Sequence, residues 1–271
     1  MRVVIMSDME GVSGITTWEQ VSNGESAYEE ARVLYTQEVN AAIRGAKAGG
    51  ADEVVVIDFH GAGGPRSFNS YVGELLEPDC TWVAHHSWLH YEALLEQPCD
   101  GVLIVGAHAR MGTPDGVLCH TVSSSTWRNL WFNGELVGET ALNAAWWGHH
   151  GVPVLLVAGD AAACREAKAV LGDGLTTVQV KRGLSRYSAQ HVPPARARQM
   201  IEEGAQKALQ NLKAVKPYVP ARPTTVAVEF ASVDRLQEYR SRPGVEVIES
   251  EIKVVSRGEH WLQAWSQIWD W

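Results

Sequence analysis

Four stretches of this sequence are apolar over strand length and end abruptly in polar residues or glycine. They are Val3-Val4-Ile5-Met6 before Ser7-Asp8-Met9-Glu10-Gly11, Val54-Val55-Val56-Ile57 before Asp58-Phe59-His60, Val102-Leu103-Ile104-Val105 before Gly106-Ala107-His108, and Val154-Leu155-Leu156-Val157 before Asp160. A strand with one solvated face alternates, so unbroken runs mark strands covered on both faces, as in a parallel sheet sheathed by helices. Between the first two runs, Tyr28, Ala31, Leu34, Tyr35, Val39, Ala42, Ile43 and Ala46 recur three or four apart, and Gly49-Gly50 ends that helix. A strand, helix and strand joined this way implies parallel pairing through a crossover. Binding crevices in such sheets form outside the C-terminal strand ends, where the polar residues fall.

The rest of the chain supplies shorter elements. A short piece is expected from Cys80 to Ala84, a helix from Trp88 to Leu95, and extended chain from Val117 to Trp131. Asn133-Gly134 is a hairpin signal, and a helix is expected from Val137 to His149 with Glu139 in its first turn. Asp160 reads as the cap of an alanine-rich helix reaching Val170. A strand from Thr176 to Lys181 and a helix from Pro193 to Leu212 precede a stiff, proline-rich stretch from Lys216 to Pro223. Strands at Thr225–Phe230, Val245–Ile248 and Ile252–Val255 and a helix from Trp261 to Trp269 complete the chain. The expected fold is therefore α/β: a mostly parallel sheet covered by helices, with a smaller C-terminal α+β subdomain, divided as residues 1–190 and 191–271.

The formal net charge of -9 and the absence of a basic run argue against nucleic acid or an anionic membrane as partner. Cys80, Cys99, Cys119 and Cys164 show neither CxxC spacing nor a disulfide framework. No signal peptide and no transmembrane stretch is expected, and a cytoplasmic setting with reduced thiols follows. Eleven tryptophans against four phenylalanines is unusual; rings that large are seldom wholly buried, so some are expected at a pocket or an interface.

At the expected sheet rim the chain collects Asp8, Glu10, His60, His108 and Glu139. Oxygen and nitrogen donors without cysteine suit zinc, manganese or cobalt, and Asp8 is the natural carboxylate to bridge two ions. Each residue also has an ordinary use: Asp8 as a cap or turn former, the histidines as loop residues, Glu139 as an acid at a helix start. Spacing alone does not separate the two readings. His120 would fold back over the rim as a general acid or base. Its neighbour Cys119 points to the opposite face in extended chain and reads as structural. Two histidine pairs, His85-His86 and His149-His150, lack a third ligand at suitable spacing, and the Gly61–Gly64 loop matches no phosphate-binding pattern.

Several ordered segments together resemble the M55 metallopeptidases, the DppA-like D-aminopeptidases. These are Ser7-Asp8-Met9-Glu10-Gly11-Val12-Ser13-Gly14, Asp58-Phe59-His60, Gly106-Ala107-His108-Ala109-Arg110, Cys119-His120, and Val137-Gly138-Glu139 with Leu142-Asn143-Ala144. The resemblance implies a di-zinc aminopeptidase acting on short peptides with an N-terminal D-residue, such as D-Ala-D-Ala. It implies that Asp8 bridges two zinc ions, with Glu10 and His60 on one and His108 and Glu139 on the other. His120 would be the catalytic histidine. Pentameric rings stacked into a decamer, with the active sites facing an inner channel, are implied as well. One departure stands out: Thr113-Pro114-Asp115-Gly116-Val117 is one residue longer than the Thr-Pro-Gly-Val of the family pattern, which bears on specificity. Trp127 and Trp131 lie in the same region and are expected to narrow or floor the pocket. Two other readings remain: a metal-dependent amidohydrolase or L-peptide aminopeptidase built on the same residues, and a non-catalytic α/β protein that binds a small ligand or serves as a scaffold.

Overall fold

The computed structural model describes residues 1–85, 94 and 97–269. The four apolar runs are the inner strands of a seven-stranded sheet: β1 (Arg2–Ser7), β2 (Glu53–Asp58), β4 (Gly101–Ala107) and β7 (Val154–Asp160). With β3 (Thr81–Val83), β8 (Thr176–Ser185) and β9 (Ser188–His191) the order is β3-β2-β1-β4-β7-β8-β9. Every pairing is parallel except β8 with β9. Residues of β4 and β7 are buried throughout, as expected of strands covered on both faces.

Four helices cover this sheet. α1 (Tyr28–Ala48) packs on β1, β2 and β4 and against α4 (Pro194–Leu209), while α2 (Glu139–His149) and α3 (Ala161–Leu171) pack together and reach β7. The chain moves outward from β1 through β2 to β3, then returns to place β4 on the other side of β1 and moves outward again through β7 and β8. The direction of travel therefore reverses between β1 and β4, the place where a parallel sheet opens a crevice at its C-terminal edge. Backbones approach closely there. The Gly11 N–H donates to the Gly106 carbonyl at 2.8 Å, and a Cβ on Gly106, whose φ is +77°, would lie 1.8 Å from the Asp8 carbonyl oxygen.

A second, antiparallel sheet runs β11-β12-β10-β5-β6. Its members are β5 (Trp127–Phe132), β6 (Glu135–Val137), β10 (Thr224–Phe230), β11 (Val245–Ile248) and β12 (Lys253–Gly258). β10 alternates buried and half-buried positions, one face packed under α5 (Trp261–Ile268). The Asn133-Gly134 turn joins β5 to β6 with both residues at positive φ, 50° and 85°, which matches the twist of a tight hairpin. Asp160 caps α3, its carboxylate accepting from the Ala163 N–H at 2.6 Å. β8 runs on to Ser185 and turns back as β9, a hairpin absent from the sequence reading. The helix expected from Trp88 to Leu95 lies outside the described residues, Leu94 excepted. Among the described residues no helix is long and apolar enough to cross a membrane.

Candidate metal centre

Strand ends separated by up to a hundred residues in sequence deliver the polar groups to one point. Asp8 and Glu10 follow β1, His60 follows β2, His108 follows β4, and Glu139 opens α2. Asp8, Glu10, His60 and His108 are each at most 5% exposed. One Asp8 oxygen lies 3.1 Å from His60 Nδ1, and its other oxygen lies 3.3 Å from His108 Nε2. Glu10 Oε2 is 3.1 Å from the same His60 nitrogen, and Glu139 Oε1 is 3.3 Å from the same His108 nitrogen. Asp8 thus stands between two half-sites, one with Glu10 and His60, the other with His108 and Glu139.

The imidazoles are held from behind by main-chain carbonyls, which only accept hydrogen bonds. His60 Nε2 donates to the Val21 carbonyl at 2.7 Å, His108 Nδ1 to that of Ala109 at 2.9 Å, and His120 Nδ1 to that of Leu118 at 3.0 Å. In the neutral ring the opposite nitrogen then carries a lone pair, and in His60 and His108 that nitrogen faces carboxylate oxygens. Acceptors facing acceptors at 3.1–3.3 Å require a proton or a cation between them. Glu10 Oε2 and His108 Nε2 are buried without a hydrogen-bond partner, as atoms reserved for a metal would be. A histidine turned toward a metal and anchored by its other nitrogen on a carbonyl is a recurrent arrangement.

The electrostatics agree. Burial works against charge on His60, yet the facing Glu10 and Asp8 carboxylates raise its pKa well above the ordinary value; Glu139 and Asp8 do the same for His108. Burial also opposes the Asp8 charge, but the facing His108 and His60 rings outweigh it and hold the carboxyl well below its usual range. The pocket is anionic and draws positive charge onto its nitrogens, a role a divalent cation fills better than protons.

His120 stacks on His108, ring centroids 4.1 Å apart and planes within 12°. Its Nε2 lies 3.8 Å from Glu139 Oε1. Burial, and then the neighbouring His108, lower its pKa, which disfavours the charged ring. Donor atoms of His108, His120 and Glu139 all lie within 4.8 Å of one another, as do those of Asp8, Glu10 and His108. The geometry therefore brings together all six residues singled out in the sequence.

Others were missed. Lys181, on β8 and 2% exposed, donates from Nζ to the carbonyls of Glu10, Val12 and Ile15 at 2.5, 2.8 and 2.7 Å. It ties down the loop that carries two of the acids. Glu38 on α1 accepts from the Ser13 N–H in the same loop at 3.0 Å. Asp58 accepts from the His60 N–H at 3.0 Å and from Tyr35 Oη at 2.7 Å, fixing how the chain leaves β2. A lysine or glutamate amid apolar residues was a faint sign; its partners, up to 171 positions away, were not readable.

Cys119 is buried with Ala109 and Ala162, a structural thiol. His85 Nε2 donates to the Asp58 carbonyl at 2.9 Å, and His149 and His150 pack edge to face on each other. The expectation for Trp127 and Trp131 is corrected. Trp127 is buried behind Trp265 and Trp269, and Trp131 lies under the Lys253 ammonium at 4.8 Å; neither lines the cleft above the centre. The longer loop turns away from the cleft as well: both oxygens of Asp115 accept from Arg165 Nη2 at 2.7 Å, and Thr113 Oγ1 donates to Glu166 at 2.6 Å.

An α/β protein that gathers such donors below an open cleft at its sheet switch point has, as a class, the build of a metal-binding α/β protein with its site at the crevice. The family model described as D-aminopeptidase, of peptidase family M55, matches residues 1–269. A D-aminopeptidase of Bacillus subtilis (strain 168) is 33% identical over 267 residues, covering 98% of this chain and 94% of that protein. The solved structure of the Zn-dependent D-aminopeptidase DppA from Bacillus subtilis, described as a self-compartmentalizing protease, superposes with a TM-score of 0.89 at 31% identity, covering 99% of this chain and 95% of that one. This chain belongs to the M55 family of metal-dependent peptidases.

Proposed function

We propose that the protein is a zinc-dependent aminopeptidase that removes an N-terminal D-residue from short peptides, the class to which D-Ala-D-Ala belongs. Asp8 would be shared between two ions, with Glu10 and His60 completing one position and His108 and Glu139 the other. The observation that carries this reading is the pair of anchored imidazoles whose free nitrogens face carboxylates across 3.1–3.3 Å. Bound zinc would supply an activated water and polarise the scissile carbonyl; manganese or cobalt suits the same donors.

The chain's own groups do the rest. The acids give the cleft the negative charge that draws in the ammonium terminus of a peptide. His120 takes up a proton at Nε2, because its Nδ1 hydrogen is committed to Leu118, and returns it to the leaving amine. A second reading makes His120 a ligand, favoured by its closeness to His108 and Glu139. Cytoplasmic location and pentameric rings stacked into a decamer belong to the same proposal; what speaks for an assembly is that a similar solved structure is described as a self-compartmentalizing protease.

The test is elemental analysis of zinc-equilibrated, dialysed protein alongside hydrolysis of D-Ala-D-Ala and L-Ala-L-Ala. Wild type is expected to retain two equivalents and cleave the D-peptide, and Asp8→Ala to retain little metal. His120→Ala should keep both metals while kcat falls about 10²–10⁴-fold. Normal turnover in that variant removes His120 from the mechanism, and loss of one equivalent makes it a ligand. Preferential cleavage of the L-peptide would replace the D-specific reading.

A further inference from the structure

Among the described residues, five tryptophans border the cleft above the metal centre: Trp146, Trp261 and Trp265 are buried, 5%, 1% and 2% exposed, and form its packed backing, while Trp18 and Trp269 are half-buried and present surface to it. Their arrangement is ordered. Trp261, Trp265 and Trp269 recur every fourth residue along and just past α5 and stack as a ladder, centroids 5.7 and 5.8 Å apart with planes within 11° and 9°. Trp146 shares a face of α2 with Glu139 and Leu142, so this wall begins two turns from an acid of the centre. Trp18 meets His120 edge-on at 5.6 Å and is steadied by the Arg186 guanidinium 5.5 Å from its ring. The aromatic surface thus adjoins the half of the site formed by His108, Glu139 and His120.

Size decides what this surface is for. The cleft encloses about 340 Å³. An apolar cavity of roughly 150 Å³ already takes up a benzene ring, so the cleft holds an aromatic ring beside a dipeptide backbone. Two methyl side chains would leave the accessible faces of Trp18 and Trp269 largely uncovered, whereas a ring gains both apolar burial and edge or stacked packing against them. Ser123, Ser124 and Ser125 at the rim offer hydrogen bonds to the polar backbone of the same ligand.

We propose that the tryptophan-walled cleft selects peptides carrying a bulky apolar side chain, aromatic above all, on a residue flanking the scissile bond. The inference rests on the peptidase reading above and names the substrate class within it. The test uses the zinc-loaded full chain and two readouts. Hydrolysis of D-Phe-D-Ala, D-Ala-D-Phe and D-Ala-D-Ala is compared as kcat/KM, and binding of free D-phenylalanine and D-alanine is followed by intrinsic tryptophan fluorescence. At least one phenylalanyl dipeptide should exceed D-Ala-D-Ala by about tenfold or more, the least a hydrophobic pocket returns for added apolar bulk. D-phenylalanine should bind more tightly than D-alanine by a similar factor.

Trp146→Ala should collapse both ratios toward one. Trp269→Leu, close to the end of α5 and half-buried, provides a variant that leaves the buried core in place. D-Ala-D-Ala hydrolysed as well as both phenylalanyl peptides, or ratios unmoved in both variants, would overturn the proposal. If no D-dipeptide is cleaved yet D-phenylalanine still outbinds D-alanine, the peptidase reading fails and the apolar selectivity of the cleft stands.

Discussion

Lys181→Met keeps the length and bulk of the side chain and deletes its charge, leaving the carbonyls of Glu10, Val12 and Ile15 without their ammonium donor. Each buried carbonyl that loses its donor costs about 1–3 kcal/mol, so the three together cost about 6 kcal/mol. Against this, the substitution relieves the expense of keeping a cation from water. Burial lowers the Lys181 pKa from 10.5 to about 8, which corresponds to roughly 3 kcal/mol. The expected net loss is about 3 kcal/mol, concentrated in the loop that carries Asp8 and Glu10. Two measurements check it: the urea midpoint of the metal-free chain, and zinc retained per chain after dialysis against a weak chelator. Both should fall, the second because a loosened loop no longer holds the two acids in register with His60 and His108. Unchanged stability together with full zinc retention would refute the reasoning, since the loop would then hold its shape without the lysine.

Glu38, buried on α1, is pushed up to about 7 by desolvation, so the unfolded chain ionises it near 4.5 before the folded one does. Stability from this group is complete below about pH 4.5 and lost as pH rises through 7; Glu38→Gln, which still accepts from Ser13, should gain about 3 kcal/mol over wild type at pH 8 and almost nothing at pH 4.5. Urea unfolding at both pH values reads this, and an equal difference at the two would contradict it. Gly106→Ala should destabilise the chain by more than about 2 kcal/mol, from positive-φ strain plus a Cβ driven against the Asp8 carbonyl, and should lower zinc retention; a thermal midpoint and metal content equal to wild type would show that the backbones can separate freely.

The inner strands and the residues at their ends were legible because both signals are local. A strand buried on both faces is apolar along its run, and a polar residue within two or three positions of the end of such a run falls at the sheet edge; Val3–Met6 with Asp8, and Val102–Val105 with His108, follow this. The helices were legible for the same reason, α1 by its three-and-four spacing and α3 by its Asp160 cap. The aromatic wall was legible only as a surplus of tryptophan. Trp127, in the region that folds near the rim, was the natural candidate to line a pocket, yet it packs against Phe230 at 5.7 Å and Trp269 at 5.7 Å. Period-2 alternation assigns faces within a strand, but it does not say which helix will cover them.

By itself the sequence determined the parallel α/β class, the strand ends that carry Asp8, Glu10, His60 and His108, and the helix start that carries Glu139. Patterns of burial and turning act over a few residues, so they are written in consecutive letters. Only the tertiary structure decided that β5 and β6 would join β10 and β12 in one antiparallel sheet. It alone placed Lys181 beneath the Glu10–Ile15 loop and brought α5 of that second sheet against α2, closing the cleft with tryptophan. These are contacts between segments far apart in the chain, chosen by complementary shape and by the need to satisfy buried carbonyls, and no local spacing encodes the partner.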